Sequence, residues 1–135
     1  MIKGETLAGT IPQELITACL AVGNDLVFLP DFKAGLNGLF IKKVYTEAEI
    51  SYCNCFADPV LRYASTWAAK ESVYKALKQV SNRPPGFKKI EIGRLSAAGR
   101  PFVMLPPEYD SYKIALSITH DGDYAWAIAC LTASI

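Results

Sequence analysis

Three polar placements hold the chemical possibilities of this sequence. Asp25 sits inside the apolar run 21–29. A carboxylate taken out of water must be protonated, paired or bound to a cation, unless it only ends its strand or bonds its own backbone. Glu71 and Lys75 are four residues apart, the spacing of an ordinary surface ion pair on a helix. At about 100° per residue, Ala64, Ala68, Glu71 and Lys75 fall within a sector of about 60°, where the alanines would let another backbone or a ligand come close. His120, the only histidine, closes an apolar strand. There it is either a structural residue or a group that titrates near neutrality at the mouth of a cleft.

The elements that must position these residues can be read from caps and periodicity. Thr10-Ile11-Pro12-Gln13 predicts a short helix to about Leu20. The run 21–29, rich in branched and aromatic residues, reads as a buried strand ended by Pro30. Residues 31–40 form a short helix or an irregular segment. Thr46-Glu47-Ala48-Glu49 matches the capping box of a helix to about Phe56. Asp58-Pro59 starts a long helix that runs to about Val80, where Asn82-Arg83-Pro84-Pro85-Gly86 forces a stop. Tyr63, Trp67, Tyr74 and Leu77 form a stripe on that helix that reads as core.

After this helix the period changes. Residues 89–95 and 100–105 are short strands around the loop Ser96-Ala97-Ala98-Gly99. Residues 112–119 and 123–131 flank His120-Asp121-Gly122, whose Asp-Gly is a hairpin signal. By alternation His120 shares a side with Ile114, Leu116 and Ile118. The chain therefore reads as a single α+β domain, helices packed on a mainly antiparallel sheet.

Composition excludes several classes. Among the 135 residues, 51% are apolar and 20% charged. That is too hydrophobic for disorder, and the length suits one domain with a real core. The formal charge of +1 gives no global field to draw nucleic acid or an anionic membrane. No apolar stretch approaches the ~20 residues of a membrane span. The first residues lack a signal-peptide pattern, and a cytoplasmic protein is expected. Four cysteines and one histidine, with Cys53 and Cys55 as a lone C-x-C, do not make a zinc site, and disulfides are not expected in a reducing compartment.

Three segments, in order, resemble the signatures of the holo-acyl-carrier-protein synthase family, the small 4′-phosphopantetheinyl transferases. They are Gly23-Asn24-Asp25-Leu26-Val27, Trp67-Ala68-Ala69-Lys70-Glu71-Ser72-Val73-Tyr74-Lys75-Ala76-Leu77 and Ser117-Ile118-Thr119-His120-Asp121. Lys43-Val44-Tyr45-Thr46-Glu47-Ala48-Glu49 is similar to the family's basic–x–aromatic–Thr–x–x–Glu segment. The resemblance spans about 21–131 and leaves residues 1–20 as an N-terminal extension.

The resemblance implies transfer of the phosphopantetheine arm of coenzyme A to a serine of an apo acyl carrier protein, with release of adenosine 3′,5′-bisphosphate. It implies Mg²⁺ on Asp25 and Glu71, a catalytic and phosphate-facing Lys75, and His120 near the coenzyme as phosphate contact or proton acceptor. Arg62 and Lys70 are the further phosphate candidates. It also implies homotrimers with sites between subunits, and carrier docking on Lys33, Lys42 and Lys43. The chain departs from the family pattern at Thr66, where many relatives have arginine, at Asn24, where an apolar residue is usual, and at 78–86, where a Gly-rich stretch is common. Those departures motivate the alternative of a homologue that binds carrier or coenzyme without turnover.

Overall fold

The computed structural model describes residues 19–96 and 99–133. The helix expected over 10–18 lies outside them, and residues 19–20 already belong to the first strand. The elements in chain order are β1 (Cys19–Phe28), α1 (Leu29–Gly35), α2 (Gly38–Val44), α3 (Glu47–Asn54), α4 (Pro59–Val80), β2 (Glu91–Arg94), β3 (Pro101–Met104), β4 (Tyr112–Asp121) and β5 (Tyr124–Ala133). A 3₁₀ turn at Phe87–Lys89 leads into β2, and another at Pro107–Tyr109 leads toward β4.

The predicted signals act as expected where they are local. Thr46 and Glu49 form the reciprocal capping box of α3. Asp58 accepts from the Leu61 N–H, and Pro59 opens α4, which ends at Val80. Gly122 turns the β4–β5 hairpin with φ of 54°, the left-handed geometry that favours glycine. The segment 31–40, left open between helix and irregular chain, forms parts of two short helices. Asn37 caps the second by accepting from the Phe40 N–H.

Two antiparallel sheets result: β1-β5-β4, and the hairpin β2-β3. In the larger sheet Asp25 pairs with Ala127 and Ala127 with Ile118, while Val27 pairs with Ala125 and Ala125 with His120. These residues share one face, and α4 lies across it. The interface is built from small side chains: Ala64, Ala68, Ala69 and Ala76 of α4 and Ala21, Ala125, Ala127 and Ala129 of the sheet are all buried. Small residues let backbones approach closely. The extreme is Gly23, where a Cβ would lie 1.8 Å from the Ser72 carbonyl oxygen.

On the other side of α4, helices α1 to α3 close a second cluster. Tyr45 Oη donates to the Tyr63 carbonyl at 2.8 Å, and Trp67 packs on Phe40 and Phe87 at centroid distances of 5.3 and 4.8 Å. The stripe of Tyr63, Trp67, Tyr74 and Leu77 is thus core, as expected. A buried ion pair ties the layers together: Lys70 Nζ donates to Glu49 Oε1 at 2.7 Å and to the Ile90 carbonyl at 2.6 Å. Glu49 Oε2 also accepts from the Ile92 N–H at 2.8 Å. Every polar atom of that pair has a partner, which a buried pair needs to offset its desolvation.

One expectation needs correction. β1 is not buried on both faces: its residues alternate, with Val22, Leu26 and Phe28 exposed opposite Ala21, Gly23 and Val27. The apolar run is continuous because both faces are apolar, and among the described residues the second is exposed.

Gly23→Ala is expected to cost about 3 kcal/mol, because the added methyl meets backbone rather than a movable side chain. Gly35→Ala, where a Cβ meets nothing within 4 Å, should be neutral within about 0.5 kcal/mol. Chemical denaturation measures both. A Gly23→Ala protein as stable as the parent would show that β1 and α4 are not so tightly apposed.

Candidate active site

The contact at Gly23 sets the site two residues later. Asp25 follows on the same face of β1, and α4 brings Glu71 and Lys75 to it. Lys75 Nζ donates to Asp25 Oδ1 and to the Asn24 carbonyl, both at 3.0 Å. The Asp25 side chain is only 10% exposed, whereas that of Lys75 is 53% exposed. Asp25 Oδ2 is buried and accepts no hydrogen bond.

Glu71 explains that orphan atom. Its carboxyl lies against that of Asp25, and burial, followed by the Asp25 contact, pushes its pKa up to about 7, with Lys75 opposing. Two ionised carboxylates in contact hold no hydrogen to share. A proton between them or a cation satisfies both, and near neutrality the pair is poised between these states. The donor set, two carboxylates in contact, suits a hard cation such as Mg²⁺, which takes one or two protein carboxylates and completes its shell with phosphate and water. No cluster of three or more His, Cys, Asp or Glu occurs among the described residues, so this chain's share of such a shell is small.

The other candidates separate. Lys70 follows the geometry expected from its place next to Glu71, about 100° round the helix. Its amine is fully buried on Glu49 and Ile90. It is therefore corrected from phosphate ligand to structural tie. Arg62 is likewise placed away from the acids. Nine residues before Glu71 amount to a half turn of the helix, about 180°, and its guanidinium lies over the Phe56 ring at 4.1 Å. Thr66 is buried and its Oγ1 is 3.8 Å from Cys53 Sγ, so that position faces α3.

His120 shares the helix-facing side of the sheet, as alternation predicted, and is exposed at its end. It stands two strands from Val27, roughly 10 Å at about 4.8 Å per strand. One chain therefore does not bring it to Asp25.

Sequence reading passed over Gln79. Its Nε2 donates to the Val22 carbonyl at 2.7 Å and to the Lys75 carbonyl at 3.3 Å. Its place four residues after Lys75 was the available signal, since that spacing repeats a helical face. Where the family pattern has a Gly-rich stretch, α4 here continues to Val80 and fastens to β1.

Comparison with known proteins agrees with this fold. Residues 21–129 match the model of the ACPS family, the 4′-phosphopantetheinyl transferase superfamily. A holo-[acyl-carrier-protein] synthase of Chlorobaculum parvum is 39% identical over 90 residues, 67% of this chain and 76% of that protein. One from Chlamydia felis is 33% identical over 115 residues, 80% of this chain and 93% of that protein. Among solved structures, an ACPS–CoA complex from Chronobacterium ammoniagenes superposes with a TM-score of 0.71 at 31% identity, covering 85% of this chain and 98% of that one. With its helices on an antiparallel sheet and these matches over most of its length, this chain belongs to the holo-acyl-carrier-protein synthase family of enzymes.

Proposed function

We propose that this enzyme transfers the 4′-phosphopantetheine group of coenzyme A to a serine hydroxyl of an apo acyl carrier protein in the cytoplasm, with Mg²⁺ held by Asp25 and Glu71. The observation that carries the proposal is the buried, unpartnered Asp25 Oδ2 beside a carboxyl raised to about 7, with a half-exposed amine next to it. When bound, Mg²⁺ offsets charge on the pyrophosphate whose P–O bond breaks. The serine oxygen forms the new P–O bond and loses its proton, and adenosine 3′,5′-bisphosphate leaves. Lys75 stands one helical turn from Glu71, where its ammonium neutralises charge developing on the leaving phosphate.

A second chain completes the site in this reading. The sheet face turned away from α4 exposes Val22, Leu26, Phe28, Tyr124, Trp126 and Ile128, with Leu26 61% and Trp126 42% exposed. Such a contiguous apolar patch marks an interaction surface. Its occupant is another copy of the chain, in a homotrimer whose contact brings His120 of one subunit toward the acids of the next. There His120 contacts phosphate or accepts the serine proton.

The carrier, an acidic protein, docks on the basic end of α2. Lys42 and Lys43 are exposed there, and Lys88 Nζ donates to the Lys42 carbonyl at 3.1 Å. A cavity of about 590 Å³ beside them is lined by Lys43, Arg83, Lys88 and Lys89 against Glu108. Lys33 lies on α1, the neighbouring helix of the same segment.

Mass spectrometry of an apo carrier incubated with coenzyme A, Mg²⁺ and the enzyme should show one added phosphopantetheine, and none with a chelator present. Asp25→Ala and Glu71→Ala should each lower turnover about a hundredfold or more, without adding in the double variant, since both break one site. Full activity in Asp25→Ala would remove these acids from the reaction.

Reversal of Lys42 and Lys43 to Glu should raise KM for the carrier about tenfold and leave KM for coenzyme A unchanged. Equal loss for both substrates would argue against a docking role.

Trp126→Glu is expected to convert the trimer to monomer in light scattering, because a charge at the centre of an apolar interface is left unpaired. A parent protein that is already monomeric would refute the assembly.

A further inference from the structure

We infer that Lys75 is the resident counter-ion of the acid pair, and that it yields Asp25 to the incoming metal so that metal and phosphate bind cooperatively. The inference rests on the metal reading above and adds the order of events around one side chain. Lys75 satisfies only half of Asp25: Oδ1 has the amine at 3.0 Å, while Oδ2 accepts no hydrogen bond and faces the Glu71 carboxyl. The two partners also differ in freedom. Asp25 is held on β1 with its side chain 10% exposed, whereas Lys75, at 53%, moves on a flexible four-carbon stem. By contrast Lys70, with both acceptors close and no exposure, is fixed.

Charge decides what happens when a divalent ion arrives. Two carboxylates and one ammonium sum to −1, so the pair attracts cations. Once a divalent ion sits on the acids the sum is +1, and the nearby ammonium is repelled rather than held. Lys75 must then give up Asp25, a loss that weakens binding of metal alone. A phosphate oxygen supplies the displaced amine with a new acceptor and the metal with a further ligand, so each ligand tightens the other. Linkage requires that coupling to be the same in both directions. The Asn24 carbonyl, a second acceptor at 3.0 Å, gives the amine an anchor from which to swing.

The test reads Mn²⁺ affinity by electron paramagnetic resonance of the free ion, with no turnover involved. Lys75→Met should bind Mn²⁺ about fivefold more tightly than the parent, the upper end of what an exposed ion pair is worth. Lys75→Arg, which keeps the charge, should match the parent. Adenosine 3′,5′-bisphosphate should tighten Mn²⁺ binding in the parent, after correction for the complex formed in solution, and this gain should shrink severalfold in Lys75→Met, which keeps only the direct phosphate–metal contact; an undiminished gain would refute the exchange. Melting curves establish that both variants are folded, and Lys75 is exposed enough to replace. Asp25→Asn tests the metal reading separately, by losing Mn²⁺ in every background. If Asp25→Asn loses the ion but Lys75→Met binds it no more tightly than the parent, the exchange is refuted while the metal site stands. If the parent binds no Mn²⁺, both fall together.

Discussion

The approach of β1 to the backbone of α4 governs the rest of the molecule. Gly23 lies so close to Ser72 that no side chain fits between them. Alternation then places Asp25 two residues on, under Glu71 and Lys75. The closeness has an energetic basis in the alanines on both surfaces. Each buries little area alone, but together they admit many dispersion contacts at short range. Larger residues would bury more area and separate the acids. The interface gives up bulk to hold two carboxylates in contact, an arrangement that opposes stability unless a proton or cation intervenes.

Two lysines show how an ion pair becomes structural or functional. Lys70 and Lys75 both leave α4 for a carboxylate, at 2.7 and 3.0 Å. Around Lys70 every polar atom is satisfied and the side chains are closed off from solvent, so exchanging a partner would strand a buried charge. Around Lys75 solvent is at hand and one carboxylate oxygen lacks a hydrogen-bond partner. The difference lies in the completeness of the shell, not in the residue types.

Local structure was legible in the sequence because its causes are local. The capping box at Thr46, the Asp58-Pro59 start and the Asp121-Gly122 turn each determine an element within a few residues. Asp25 stood out because a carboxylate in an apolar strand needs an explanation, whereas Glu71 with Lys75 has the spacing of an ordinary surface ion pair, and only the family resemblance joined the two acids. The partners of Lys70 and Arg62 were not legible. The segment around Glu49 reads as a capping box, and nothing in that spacing reveals that its carboxylate also reaches Lys70 and β2. Nor does the helix alone announce that Arg62 lies over Phe56. The outer face of β1 was misread because a run of apolar residues looks the same whether or not a helix of the chain covers its second face.

Gln79 and Lys75 also have a bearing on solubility. β1 is an outer strand of its sheet, and a row of unpaired carbonyls along such a strand is a template on which a foreign strand can grow. The two side chains occupy that row at Val22 and Asn24, so α4 acts as a guard rail against cross-β growth. An amine that gives up Asp25 and keeps its Asn24 anchor leaves both carbonyls covered. The same anchor that lets Lys75 swing thus keeps a strand edge from growing into a foreign sheet.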